Sequence, residues 1–218
     1  MSKPTLQHLA RPAISQYTES PYYAKAEKRT KSQWQRYIKP VVGGADLSSV
    51  LDLACGHGRY SELLAPLSGR LIAVDANETC IAATRERLKH LKHIEYCVTD
   101  GYSLTPIADD SITFIFCFDA MVHFDNEVVA AYIEEASRVL APGGMGFFHH
   151  SNFMERPGAN YKNNPHARNF MSTELFAHQA IKSGLKMVRS TKISWGAGEH
   201  FIPYLDGISV VRKPAQAE

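Results

Sequence analysis

The sequence predicts a doubly wound α/β fold, a mostly parallel seven-stranded sheet with helices on both faces. Three observations carry this. Apolar runs of strand length alternate five times with segments of helical spacing, and two further strand-like runs close the chain. The run Ile112 to Phe118 is apolar except at Thr113, as expected of a strand buried on both faces. Acidic and glycine residues stand at the C-terminal ends of successive runs, where sheets of this kind hold ligands at the point of reversed strand order. A chain of 218 residues suits one domain with a full core.

The elements follow in order. Residues 1–40 form an N-terminal helical lid segment, with a helix from Lys25 to Ile38 that carries Trp34, Tyr37 and Ile38 on one face and stops at Pro40. Residues 41–150 form the ligand-binding core. Its first strand, Ser49 to Ala54, ends in a glycine-bearing turn before a helix from Tyr60 to Leu67. The second, Arg70 to Val74, ends in Asp75 and precedes a helix from Glu78 to Leu91 whose basic end suits the helix dipole. The third runs from His93 to Val98. The fourth, Ile112 to Phe118, leads to a helix capped by Asn126 and running to Leu140, with Pro142-Gly143-Gly144 as its stop. Met145 to His149 is the fifth strand. A polar insertion occupies residues 151–171. In residues 172–218, Ser172 or Thr173 caps a helix to Lys182, Gly184 closes it, and Lys186 to Trp195 pairs with Gly207 to Arg212 as an antiparallel hairpin.

Composition narrows the function. Hydrophobic residues are 44% and charged residues 21% of the chain, as in globular domains that bury an ordinary core. The formal net charge of +2 is spread along the chain, which argues against a large basic face for nucleic acid. Cys55, Cys80, Cys97 and Cys117 are not spaced as C-x-x-C pairs, and His57 beside Cys55 has no second Cys/His cluster, so no metal site is expected. Isolated thiols and the lack of an apolar leader predict a cytoplasmic protein, and no apolar run is long enough to span a bilayer.

The chemistry-bearing residues sit at the strand ends. The first turn reads Asp52-Leu53-Ala54-Cys55-Gly56-His57-Gly58-Arg59-Tyr60-Ser61. Its glycines allow close approach of a ligand and leave amides open at the next helix start. A bare pair of glycines also fits any tight α/β turn, so the surroundings decide. Ser61 stands where a nicotinamide fingerprint needs its third glycine. Asp52, just ahead of the turn, repels a pyrophosphate and favours a cationic ligand. Asp75 ends the second strand in position to accept from two sugar hydroxyls, and Asp100 ends the third. Three acids ending three successive strands are hard to explain as turn caps.

These segments, with Val74-Asp75, Thr99-Asp100-Gly101 and Val139-Leu140-Ala141-Pro142-Gly143-Gly144, resemble the class I methyltransferases that use S-adenosylmethionine (SAM). The resemblance covers about residues 48–150, and the last two strands fit that family's closing hairpin. Ala54 departs from the glycine usual there. The resemblance implies SAM as cofactor and S-adenosylhomocysteine (SAH) as product. It implies that Gly56 and the neighbouring backbone hold the methionine part, Asp75 the ribose and Asp100 the adenine, with Phe118 and Asp119 near the methyl group; Asp52, Ala54, Cys55, Gly58, Ala76, Gly101, Tyr102 and Phe118 complete the expected cofactor-binding set. Phe118-Asp119-Ala120-Met121 lacks the N-P-P-Y-type motif of DNA amino-methylating enzymes.

The expected activity is methyl transfer to an oxygen or nitrogen of a small-molecule acceptor of anionic or sugar-like character. The rivals are a nicotinamide-dependent oxidoreductase and a non-catalytic SAM-binding subunit. The expected oligomeric state is monomer or homodimer. Candidate catalytic residues are Asp119, His123, His149 and His150, since a histidine can take a proton near neutral pH. Strand alternation predicts that His149 and His150 point to opposite faces, so that one of them faces the site. In the insertion, Arg156, Lys162 and Arg168 are candidate anion contacts, with Tyr17, Tyr22, Tyr23 and Trp34 as an opposite wall.

Overall fold

The structure, a computed structural model, describes residues 4–16 and 22–215. Tyr17 lies outside them. Seven strands form one sheet: β1 (Ser49–Leu53), β2 (Arg70–Asp75), β3 (Ile94–Val98), β4 (Ile112–Cys117), β5 (Leu140–Ser151), β6 (Lys186–Trp195) and β7 (Ile202–Arg212). Their spatial order is β3-β2-β1-β4-β5-β7-β6. The first five are parallel, and β7 runs antiparallel to both β5 and β6. Strand order reverses between β1 and β4, so the crevice opens beyond their carboxyl ends. This is the class I methyltransferase sheet.

The helices are α1 (Leu6–Gln16), α2 (Tyr22–Glu27), α3 (Thr30–Gln33), α4 (Lys39–Val42), α5 (Ser61–Leu64), α6 (Glu78–Leu88), α7 (Asn126–Val139) and α8 (Thr173–Lys182). Alternation along the strands divides the core into two layers. Leu51, Leu53, Val74 and Ile115 pack under Val129, Ile133 and Ala136 of α7 and Phe176 of α8. Val50, Leu71, Phe114, Phe116 and Phe147 pack on the other face against Ile38, Val42, Tyr60, Leu64 and Leu88.

Several boundaries differ from the sequence reading, for local reasons. The helix expected over Lys25 to Ile38 is broken by a turn at residues 28–29, and Pro40 does not stop it. From Thr30 the chain runs through a π-helical turn, Trp34–Ile38, straight into α4, where Pro40 lies in the first turn. The Lys39 N–H reaches back five residues to the Trp34 carbonyl. Proline lacks an N–H and crowds the carbonyl four residues before it, and a wider turn relieves that crowding. Asp125, not Asn126, caps α7, its carboxylate accepting from the Glu127 N–H at 3.0 Å. Pro142-Gly143-Gly144 is a bulge within β5 rather than a separate turn, since pairing steps from Ile112–Leu140 to Phe114–Met145. Trp34 packs into the core layer of Val50 and Phe114 and forms no wall of a ligand cavity.

Candidate active site

A cavity opens at the carboxyl ends of β1, β2 and β4. Asp52, Ala54, Cys55, Gly56, Asp75, Ala76, Gly101 and Phe118 all line it. Ala13 and Ile14 of α1 and Tyr22 and Tyr23 of α2 cover it from the N-terminal side. Backbone geometry brings the turn close to this space. Ala54 and Gly56 both adopt φ 57°, and a Cβ on Gly56 would lie 2.8 Å from the Tyr23 ring. Tyr23 in turn stacks on His57, ring centroids 3.6 Å apart, and bonds Cys80 Sγ.

Two acids line this cavity, Asp52 buried and Asp75 half-buried. Asp52 is 2% exposed and accepts from the Ser61 hydroxyl. Burial pushes its carboxyl up to about 7. Asp75 accepts from the Gly56 and Asn77 amides, each at 2.9 Å, and burial raises it as well. Among the described residues neither carboxylate has a Lys or Arg ion-pair partner. Carboxyl groups beside open space with no cationic partner suit a ligand that brings a cationic group and hydroxyl donors, and oppose a pyrophosphate. SAM, with its sulfonium, ammonium and ribose diol, fits these donors and acceptors.

Three of the cofactor residues expected from the sequence lie elsewhere. Asp100 is exposed, and its carboxylate accepts from the Tyr102 and Ser103 amides and the Ser103 hydroxyl, so it caps its own turn. Tyr102 leaves the cavity with that turn and packs against the α7 layer. Gly58 is needed for packing, because a Cβ there would meet Thr84 of α6 at 2.8 Å. Thr99, Cys80 and Tyr132, which the sequence reading missed, line the cavity instead.

Asp119 follows β4 with φ 61°, a conformation costing about 1–3 kcal/mol in a non-glycine residue. Three bonds hold it there. Arg59 Nη2 donates to Oδ2 at 2.7 Å, the Tyr22 hydroxyl donates to the same oxygen, and the Asp119 N–H donates to His149 Nδ1 at 3.1 Å. Burial, then the Asp119 charge, raise the Tyr22 phenol well above its ordinary value, which keeps it a donor. His149 Nε2 lies 3.1 Å from Asp206 Oδ2, and Arg168 grips the same carboxylate through Nε and Nη2 at 2.7 and 2.6 Å. Burial opposes the Asp206 charge, but Arg168 and His149 hold its carboxyl well below the usual range. The network was only partly legible in sequence. Arg59 lies in the turn after β1, where its type signals no role, and Asp206 is the one acid in the otherwise mostly apolar β7.

The four histidine and acid candidates therefore separate. His149 and His150 do face opposite ways. His149 stacks between Phe118 and Trp195, whereas His150 stacks on Phe176 behind the sheet and bonds Ser209. Its burial among α8 side chains removes His150 from the site. His149 is fully buried, and neither ring nitrogen faces a ligand. His123 does line the cavity. Its Nδ1 donates to the Ala167 carbonyl at 2.8 Å, which makes Nε2 the acceptor of the ring. Burial, then the Arg168 charge, lower its pKa to about 4, so it is neutral near pH 7.

A second cavity, of about 310 Å³, adjoins the first. Tyr22, Arg59, Asp119 and His123 belong to the walls of both. Lys25, Arg29, His166, Arg168 and Trp195 complete the second. Its wall includes a strained turn, with His166 and Ala167 at φ 50° and 54°. The carbonyls of that turn accept from Arg168 and His123. The anion contacts expected from residues 151–171 do not assemble. Arg156 and Lys162 line neither cavity, and Arg156 donates to the Asn163 carbonyl. Arg168 lines the second but is neutralised by Asp206. Among the described residues no three His, Cys, Asp or Glu side chains are grouped to hold a metal, and no helix is long and apolar enough to cross a membrane.

Residues 50–144 match the family model described as "Methyltransferase domain". A probable S-adenosylmethionine-dependent methyltransferase of Mycolicibacterium smegmatis is 26% identical over 171 residues, 77% of this chain and 63% of the relative. The chain thus spans less than two thirds of that relative's length. The geranyl diphosphate C-methyltransferase of Streptomyces coelicolor, solved with S-adenosyl-L-homocysteine, superposes with TM-score 0.67 at 14% identity, over 98% of this chain and all of that one. The 4+2 cyclase SpnF superposes with TM-score 0.69 at 14% identity, over 99% of each chain. The fold by itself therefore accommodates more than one reaction.

Proposed function

Because this chain belongs to the class I SAM-dependent methyltransferases, we propose that it moves a methyl group from SAM to an oxygen or nitrogen of a small-molecule acceptor, anionic or sugar-like in character. The observation that supports this most is the pairing of an acid-lined cavity with a second cavity across a shared wall of Tyr22, Arg59, Asp119 and His123. The first suits SAM, and the second suits an acceptor. SAM supplies a methyl on a positively charged sulfur, a group already activated for transfer.

The chain's own residues then do the orienting. Asp75 would accept from the ribose, Asp52 would offset positive charge, and the Gly56 turn would hold the methionine part. Phe118 and Asp119 would border the reacting end. Helices α1 and α2, in the N-terminal segment, act as a lid that excludes water and holds the two partners together, where most of the rate gain of a displacement arises. His123 accepts a hydrogen bond from the acceptor's nucleophilic atom and takes its proton where one must leave. His149 acts on Asp119 rather than on the acceptor.

Calorimetry with SAM, SAH and NAD tests the reading. Saturable binding of SAM and SAH without NAD is expected, and SAH release should require a small-molecule acceptor. Binding of NAD in place of SAH overturns the proposal. SAH binding without turnover on amine, phenol and carboxylate acceptors favours a non-catalytic subunit.

A further inference from the structure

The second cavity carries more positive charge than its own walls neutralise. Four cations line it: Lys25, Arg29, Arg59 and Arg168. Two carboxylates answer them, because Arg59 pairs with Asp119 and Arg168 with Asp206. Both pairs are deep. Arg59 also donates to the Ala26 carbonyl and to Gln33 Oε1, which fixes it against the floor beneath α2. Lys25 and Arg29 are exposed, four residues apart where α2 ends, and make no ion pair with another described residue. The surplus charge therefore lies at the outer rim, and the neutralised charge lies inward beside Asp119 and His123.

The lining also includes a large aromatic side chain. Trp195 forms part of the wall, with Arg168 over its ring at 5.1 Å and His149 against it at 5.0 Å. A ligand that spans this cavity meets positive charge at one end, the indole of Trp195 in the wall and the Asp119–His123 junction at the other end. A negative group meets only paired charge at the inner end, where Arg59 answers Asp119, and unpaired positive charge from Lys25 and Arg29 at the rim. The polarity of the cavity thus sets the direction in which an acceptor enters.

We propose, resting on the methyltransferase reading above, that the acceptor is a small organic anion. Its carboxylate or phosphate sits at the rim on Lys25 and Arg29, its carbon body lies on Trp195, and its nucleophilic atom points inward to His123. This assigns the charge recognition to the end of α2, not to the loop of Arg156 and Lys162. It also couples acceptor binding to the lid, since Lys25 follows Tyr22 and Tyr23 on the helix that covers the SAM cavity.

The test uses the full chain loaded with SAH. Benzoate and phenyl phosphate serve as anionic probes and benzyl alcohol as the neutral one, with quenching of Trp195 fluorescence as the readout. Trp34 is the other tryptophan; it is half-buried against the core and lines neither cavity, so its signal is the constant background. Saturable quenching by at least one anion, and none by benzyl alcohol, is expected. The arm that responds names the anion. Lys25→Gln with Arg29→Gln should weaken that binding at least about tenfold, the size of one charged hydrogen bond at the weak end of its range. The charge-keeping pair Lys25→Arg with Arg29→Lys should stay within a few-fold, and all variants should keep SAH affinity. Equal binding of benzyl alcohol, or unchanged anion affinity in the double Gln variant, overturns the inference. Failure to bind SAH at all instead overturns the methyltransferase reading, so the two failures are separable.

Discussion

The main-chain N–H of Asp119 donates to Nδ1 of His149 across 3.1 Å, and this one bond decides what His149 can do. An amide can only donate, so Nδ1 carries no proton. The ring proton is therefore on Nε2, where it is given to Asp206. Both nitrogens are committed, and the histidine serves to hold Asp119 in its left-handed conformation.

His149→Phe should keep the packing between Phe118 and Trp195 while removing both hydrogen bonds. It leaves a buried amide unpaired, at a cost of about 1–3 kcal/mol. Urea unfolding should register that loss, and kcat should fall as Asp119 shifts. The acid limb of the pH–rate profile should stay where it is in the wild type. Disappearance of the limb in this variant would make His149 the base after all.

Asp75→Ala removes a half-buried acceptor from the ribose end of the cavity. SAH affinity should drop by about 1.5–3 kcal/mol, the range for a hydrogen bond to a charged group, or roughly ten- to a hundredfold. Calorimetry on a variant with a normal unfolding transition is the check. Unchanged affinity would remove Asp75 from the ribose site.

His123→Ala should lower kcat while leaving SAH affinity within a few-fold. A general base is worth about 10²–10⁴-fold, and a ring with a pKa near 4 is a weak base, so the lower end is expected. Because His123 gains its proton only near pH 4, wild-type kcat at saturating substrates should be flat between about pH 7.5 and 5.5 on its account. An acid limb centred near 6.5, the ordinary histidine value, would contradict the burial argument.

Acid should weaken the fold through His150. Burial lowers its pKa to about 4, against about 6.5 in the unfolded chain. Between those values the unfolded state binds the extra proton, so stability falls as pH drops through this window. His123 acts in the same direction, and Asp52, raised to about 7, acts in the opposite one. The comparison of His150→Gln with wild type isolates the effect. The variant should be less stable at pH 7.5, and its deficit should shrink by pH 4.5. A deficit that is constant with pH would mean that His150 is not buried neutral.

The sheet and most of the cofactor cavity are decided by short-range patterns. Continuous apolar runs such as Phe114 to Cys117 can be buried on both faces only in the middle of a parallel sheet, and strand ends carrying Asp52 and Asp75 must then converge on one crevice. Those facts are written locally, in period and in position after a strand, so the sequence by itself determined them. Direction and pairing are not written locally. Asp100 and Asp75 look alike as acids at strand ends, yet Asp100 turns back onto the amides of Tyr102 and Ser103 while Asp75 faces the cavity. His149 and His150 differ by one residue, and only their partners across 57 and 59 residues, Asp206 and Ser209, give each its role. Lys25 and Arg29 look like a solvated helix face until the fold sets them over a cavity whose other cations are already paired. Tertiary structure alone decided these points, because a side chain's charge state and availability depend on which distant groups reach it first.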